Sequence, residues 1–352
     1  MTNKPTFLAA LLRLSRAIPV LMLVQTLTFT AYAQAQDAPK ANKQHSISTI
    51  LRAVVGIRSK IPKDALSAKT LGTEREGSGV VIDATGLILT VGYLVLEASE
   101  IEVIRPGGIK ISAHFVGFDN ESGLSLIKAD KPLKLKPVKL GNSKSLKPGS
   151  RVMIVSHAGM PPVSAAQVIS RRAYSGYWEY LLEQAIYTSP PHENYVGAVL
   201  FGEDGQVQGI GSMSVNDAIA PSVQLPGTMF VPVNMFKPVM LDLMDHGRPK
   251  GPDRPWVGFH TNELDGKIRI VRITAGGPAD QAGLKPGDAI VGLDGKTVKS
   301  MEALFRQIRK RGDAGVVIPL DIVTEGKGDI RVRRVDVHSQ SRYKWLKIKR
   351  RK

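Results

Sequence analysis

The chain contains no cysteine. Disulfides and thiolate metal sites are therefore excluded, and cysteine use says nothing about the redox compartment. The histidines are few, and His114, His157, His246, His260 and His338 fit no metal-ligand spacing. No cofactor is expected. Acidic residues are also in deficit. There are 31 against 48 basic ones, a formal net charge of +17. Such a surface favours anionic partners. No apolar run after the first 30 residues is long enough to span a bilayer, which takes about 20 residues.

The first 33 residues carry an address. Lys4, Arg13 and Arg16 precede an apolar run from Ala17 to Thr30, interrupted by Pro19 and Gln25. Ala31-Tyr32-Ala33 then supplies a small-x-small cleavage site. Residues 1–33 read as a secretory signal peptide, with the mature chain starting near Gln34 in a bacterial periplasm. Cleavage lowers the net charge to +14, since three positive charges leave and no negative one does. For a secreted protein, no nucleic-acid partner is expected. Residues 34–46 are polar and read as a linker.

What is abundant is turn chemistry. The 34 glycines and 22 prolines punctuate many short apolar runs, which predicts a β-rich fold of barrels or sandwiches. Gly77 to Ala98 is the clearest case. Val80-Val81-Ile82 and Leu87 to Thr90 read as strands around the tight turn Asp83-Ala84-Thr85-Gly86. Ile47 to Ile57 reads as the first strand region and Lys60 to Glu76 as a polar loop. Met235 to His246 reads as a helix, capped by Asn234 and stopped by Gly247. Arg248-Pro249-Lys250-Gly251-Pro252 marks a domain boundary.

Leu89-Thr90-Val91-Gly92-Tyr93-Leu94-Val95 resembles the segment L-T-N-x-H-V-V of the HtrA (Deg) family, trypsin-like serine proteases that carry PDZ domains. A second run supports the resemblance. Gly277-Pro278-Ala279-Asp280-Gln281-Ala282-Gly283-Leu284-Lys285-Pro286-Gly287-Asp288-Ala289-Ile290 is similar to the PDZ pattern S-P-A-x-x-A-G-L-x-x-G-D-x-I. The resemblance implies an all-β dominated architecture: a trypsin-like double antiparallel β-barrel over 47–247, a linker over 248–255, one PDZ domain over 256–338 and a basic C-terminal tail over 339–352.

Trypsin-like chemistry needs a serine nucleophile, a histidine base and an aspartate to orient it. The family's histidine falls on Tyr93, whose phenol is no base near neutral pH. The Asp window, close to V-G-x-D-x-x-T-D-L-A-L-L-K in the family, is Val116 to Lys128 here. Asp119 matches the first, turn-forming Asp, and the catalytic one falls on Gly123. The Ser window, close to T-D-A-x-I-N-P-G-N-S-G-G-P-L, is Ile186 to Leu200. Counting back from Leu200 places the serine at Val196; counting forward from Ile186 places it at Gly197. Neither has a hydroxyl. Ser189 and His192 are the alternative nucleophile and base for an unorthodox active protease.

The PDZ resemblance implies capture of extended polypeptides or protein C-termini by strand addition. Trp256-Val257-Gly258-Phe259 would be the loop that holds a terminal carboxylate. Ser300 caps a helix whose apolar positions Met301, Leu304, Phe305 and Ile308 recur at helical spacing. Met301 and Ile308 are its candidate groove contacts. An active HtrA relative and a homo-oligomer are further partners the resemblance implies. The end of the chain, Arg342 to Lys352, is basic with Tyr343 and Trp345 interleaved, which fits either a solvated tail or an anionic membrane surface. Three functions therefore compete: a catalytically degenerate HtrA-like polypeptide binder in envelope quality control, an active protease with non-standard residues, and an envelope-anchoring protein.

Overall fold

The computed structural model describes residues 47–157, 162–176, 180–221, 223–264, 266–326 and 329–346. The signal peptide and linker expected over 1–46 lie outside them. A short helix, α1 (Ile47–Ala53), opens the described chain and leads into β1 (Val54–Lys60). A strand is expected over this whole region, but Ile50 and Ala53 are buried at helical spacing and place α1 against the barrel. The polar loop that follows contains α2 (Ala68–Leu71).

β1 joins β2 (Glu74–Val81), β3 (Leu87–Val91), β4 (Glu100–Ile104), β5 (Lys110–Phe118) and β6 (Leu124–Ala129). All pairs are antiparallel, and the order β1-β2-β3-β6-β5-β4 closes into a barrel. The β2–β3 turn forms as its residues dictate. Asp83 Oδ1 accepts from the backbone N–H groups of Thr85 and Leu87.

A second closed barrel follows in the order β10-β11-β12-β9-β8-β7. Its strands are β7 (Arg151–Val155), β8 (Val163–Gly176), β9 (Tyr180–Ser189), β10 (Val199–Phe201), β11 (Val207–Val215) and β12 (Gly227–Pro232). All three residues of β10 are at 0% exposure: Val199 and Phe201 belong to one core cluster and Leu200, on the opposite face, to another.

After β12 the helical stretch is broken. α3 (Val233–Phe236) and α4 (Met240–His246) flank a 3-10 turn over Lys237–Val239. One continuous helix is expected here, but Pro238 has no N–H to continue it. Asn234 is not its cap. Its Oδ1 accepts from Ser143 N and Oγ instead. Gly247 does terminate α4, in the left-handed conformation at φ 77°.

The last domain begins with β13 (Pro255–Trp256), then β14 (Phe259–Leu264) and β15 (Lys267–Ile273). α5 (Pro278–Gln281), β16 (Ala289–Leu293), β17 (Lys296–Thr297) and α6 (Met301–Lys310) come next, then β18 (Val317–Gly326) and β19 (Asp329–His338). The sheet order is β14-β15-β16-β18-β19. Ile318, Leu320 and Ile322 alternate inward along β18 and meet Leu304, Phe305 and Ile308 of α6. Leu181 of β9 joins this core, and Arg306 pairs with Glu183 at 2.7 Å, so α6 is also seated on the second barrel.

The predicted tail is shorter than 339–352. β20 (Gln340–Ser341) pairs with β13, and α7 (Arg342–Leu346) packs on the first barrel. Leu346 clusters with Leu96 and Phe118. Tyr343 sits edge-on to Phe118 and its hydroxyl accepts from Asn120 N at 2.8 Å. Trp345 lies 5.1 Å from Trp256 between ring centroids. The basic composition hid an amphipathic turn whose apolar side chains face inward. Residues 347–352 lie outside the described chain. Leu346→Ala is expected to lower unfolding free energy by about 2 kcal/mol in urea titrations, as loss of a buried leucine does. Lys344→Ala, on the exposed side, should stay within about 0.5 kcal/mol. Equal effects would mean that α7 is not docked in solution.

Candidate functional site

Three sequence windows converge at the junction of the two barrels. β3 runs into a 3-10 turn over Gly92–Leu94 that carries Tyr93. The turn is anchored from two sides. Gly92 N–H donates to the Gly123 carbonyl at 2.6 Å. Only glycine fits there, since a Cβ would lie 2.4 Å from the Phe118 ring. From below, the guanidinium of Arg75 donates to the carbonyls of Tyr93 at 2.7 Å and Leu96 at 3.2 Å. Arg75 is 5% exposed, and burial lowers its pKa to about 10, partly offset by Glu97.

Tyr93 points across the junction, and its hydroxyl donates to the Ser212 carbonyl on β11 at 2.8 Å. Burial holds this phenol far above its ordinary pKa, and Tyr195 raises it further. Tyr93 therefore stays neutral and bonded at any working pH. Asp119 forms the expected turn. Its carboxylate accepts from the N–H groups of Glu121 and Ser122 and from the Ser122 hydroxyl, at 2.6 to 3.0 Å. Gly123 completes that turn at φ 72°. An aspartate there would have to adopt a left-handed backbone.

Of the two residues offered for the serine position, Val196 faces this junction and Gly197 does not. Gly197, at φ 70°, is pressed against the Ser78 carbonyl, where a Cβ would come within 2.0 Å. Tyr93, Gly123, Tyr195, Val196 and Ser212 line one cavity of about 310 Å³. Tyr195 is the residue the counting missed. Setting Asn194 on the Asn of N-S-G-G would have found it, with Val196 and Gly197 on the two glycines. Among the lining residues none is His, Asp or Glu. Ser189 and His192 are not brought together. Ser189 Oγ donates to the Pro226 carbonyl, while the His192 ring sits between Ser156 Oγ at 2.9 Å and Ser164 Oγ at 2.8 Å.

The second site is the PDZ loop. Trp256, Val257 and Phe259 turn their side chains inward, at 7%, 0% and 1% exposure, and Gly258 between them is buried too. Gly258 stands at φ 82° and its carbonyl accepts from Thr274 N. The Val257 carbonyl is taken by Ala279 N, at the start of α5. A Cβ on Gly258 would meet Pro278 at 3.1 Å and the Trp256 ring at 3.4 Å. The long glycine-rich motif frames this loop: Asp288, 3% exposed, accepts from Lys285 N, Thr324 Oγ1 and Arg333.

β14 lies at one end of the sheet order and faces α6. Ser300 caps α6 by accepting from Ala303 N. Met301 stands at the mouth between the two elements. Its Sδ accepts from Thr261 Oγ1 at 3.3 Å, and its N–H donates to Glu263. Ile308, expected as a groove contact, is 3% exposed and belongs to the domain core, because it shares a helix face with Leu304.

His260, next on β14, lies with Nδ1 2.9 Å from Arg272 Nη2. Burial, then Arg272 and Arg342, depress its pKa to about 4. The unfolded chain, with a histidine pKa near 6.5, takes up a proton between pH 6.5 and 4 that the folded chain refuses. Stability should therefore fall as pH drops through that window, by about 1 kcal/mol after allowing for partial exposure. His260→Gln should flatten this part of the urea midpoint against pH; an unchanged slope would exclude His260 as its source.

Comparison with known proteins places these features. The trypsin-like peptidase domain family matches residues 77–210, and the PDZ domain family matches residues 269–323. The periplasmic serine endoprotease DegP of Salmonella typhimurium is 30% identical over 71% of this chain and 54% of its own length. The periplasmic pH-dependent serine endoprotease DegQ of Escherichia coli is 26% identical over 92% of this chain and 77% of its own. The chain thus spans about half the length of the DegP relatives it matches. Among solved structures, the HtrA-type protease AlgW with tripeptide superposes with a TM-score of 0.50 at 21% identity, covering 84% of this chain and 96% of that one. The serine endoprotease from Yersinia pestis gives 0.50 at 21%, covering 87% and 99%. These superpositions speak to the fold.

Proposed function

This chain belongs to the HtrA family, and on that premise we propose that it is a periplasmic HtrA-type protein that no longer cleaves peptide bonds and binds polypeptides through its PDZ domain. The lining of the junction cavity carries the proposal. Where attack on a carbonyl needs a nucleophile, a base and an orienting acid, the chain offers Tyr195 or Val196, Tyr93 and Gly123. The Tyr93 phenol is bound to a carbonyl and held neutral. Gly197 keeps its left-handed backbone, but Tyr195 and Val196 occupy the loop that would form an oxyanion hole.

The PDZ side supports the positive half. The PDZ family match and the left-handed Gly258 between inward-facing Val257 and Phe259 support reading this segment as the loop that holds a terminal carboxylate. β14 stands last in the sheet order, with Met301 of α6 bonded to its Thr261, which is where strand addition to a PDZ sheet takes place. The signal-like N-terminus and the periplasmic relatives DegP and DegQ support the compartment. The role is that of a chaperone, an adaptor, or a regulator of an active relative in envelope protein quality control.

The mature protein is expected neither to cleave unfolded casein nor to be labelled by a fluorophosphonate. Tyr93→His with Gly123→Asp and either Tyr195→Ser or Val196→Ser should restore little, because position 123 stands at φ 72°. Gly258→Val should weaken binding of C-terminal peptides at least tenfold in fluorescence anisotropy, while Tyr93→Phe leaves it unchanged. Cleavage by the unmodified protein that is lost in His192→Ala or Ser189→Ala would overturn the proposal.

A further inference from the structure

The aromatic side chains that a membrane-bound tail would use are engaged elsewhere, Tyr343 with Phe118 and Trp345 with Trp256. Positive charge gathers instead on the connector between the two barrels. Residues 131–147 hold Lys131, Lys134, Lys136, Lys139, Lys144 and Lys147, and no acidic residue. All six lysines are exposed. Between them Leu133, Val138 and Leu146 are buried, at 2%, 2% and 8% exposure. The connector is pinned to both barrels. Val138 N–H donates to the Val81 carbonyl and Gly141 N–H to the Val207 carbonyl. A backbone fixed in this way, with its apolar side chains turned inward, carries its lysines outward as one strip.

Among the described residues none of these six ammonium groups has a carboxylate partner, as Lys60, Lys110 and Lys250 do. The acids that border the strip are engaged already. Asp130 bonds His114 at 2.6 Å, and Glu203 bonds Arg151 at 3.0 Å. Asp204 accepts from Gln206 N. The positive field of the strip is therefore not cancelled within the chain.

The strip continues onto the helical stretch after β12. Asn234 Oδ1 accepts from Ser143 N at 2.7 Å, beside Lys144, and the exposed Lys237 follows three residues later. Just beyond it, Leu241 is 65% exposed and Met244 37% exposed. Three apart in α4, they share its outer side, while Leu243 faces the barrel. Lysines are compact point charges on flexible stems and lack the fork with which arginine grips one phosphate. Spread along an extended connector, they suit a surface of many anionic groups rather than a single anion. The exposed Leu241 and Met244 give that surface an apolar interface to enter, which a soluble polyanion does not offer.

We propose that the connector strip, with Lys237, Leu241 and Met244, is a docking surface for a bilayer rich in anionic phospholipid. The lysines meet the headgroups, and the two apolar side chains enter the interface.

Co-sedimentation of the mature protein with phosphatidylglycerol or phosphatidylcholine vesicles tests it. The expected result is binding to phosphatidylglycerol about tenfold tighter than to phosphatidylcholine, weakening as salt is raised. Lys134→Gln with Lys136→Gln and Lys139→Gln should weaken phosphatidylglycerol binding about tenfold. Lys144→Gln with Lys147→Gln is the second strip variant should the first fail to fold. Removing the same charge from exposed PDZ lysines, by Lys296→Gln with Lys299→Gln and Lys310→Gln, should change it less than about threefold. Leu241→Ser should weaken binding to vesicles but not to dextran sulfate. No preference for phosphatidylglycerol would overturn the surface. So would a PDZ variant, or removal of residues 347–352, that weakens binding as much as the strip variant. Vesicle binding untouched by Leu241→Ser would mark a polyanion site and overturn the bilayer. C-terminal peptide binding should be unchanged in the strip variants, since the PDZ loop takes no part.

Discussion

The contact between Gly92 and Gly123 holds the junction of the barrels together. Two backbones approach to 2.6 Å because Gly92 carries no side chain and Phe118 fills the space beside it. That contact fixes the 3-10 turn, and the turn aims Tyr93 across the junction at Ser212. A hydrogen bond from one barrel to the other follows, in surroundings that keep the phenol neutral.

The same junction explains the position of the PDZ domain. α6 sits on β8 and β9 through Leu181, Glu183 and Arg306, while α7 returns to the first barrel through Tyr343 and Leu346. Trp345 and Trp256 stack between these attachments. Arg254 and Arg309 both reach Glu121, one residue from Asn120. Single exposed ion pairs contribute little. The apolar burial of Leu346 and the aromatic contacts of Tyr343 and Trp345 carry more of the attachment. The loop at Gly258, the strap of α7 and the cavity edge at Asn120 thus share a continuous set of packed side chains.

Much of this was legible in the residues. Asp83 and Asp119 each predicted a turn, because a carboxylate two residues before an N–H closes one without outside help. Gly247 stopped a helix for a reason equally local. Ser300 capped α6 for a local reason too, its side chain accepting from Ala303 N. The misses share one cause. Ile47 to Ala53 formed a helix because the barrel offered a surface for Ile50 and Ala53. Asn234 left its helix because Ser143 was near in space. Residues 342–346 counted as basic tail until Phe118 and Trp256 gave their aromatic members partners.

By itself, the order of residues determined the turns and the strand-rich class and set a tyrosine at 93 and a glycine at 123, since each of these depends on local chemistry or on side chains simply present or missing. Only the tertiary structure decided that Val196 and Tyr195 rather than Gly197 meet Tyr93, that Ile308 belongs to a core, and that Ser189 and His192 stay apart. Those facts depend on which residues distant in the chain are brought within a few ångströms, and closure of the two barrels, not spacing along the sequence, sets those distances.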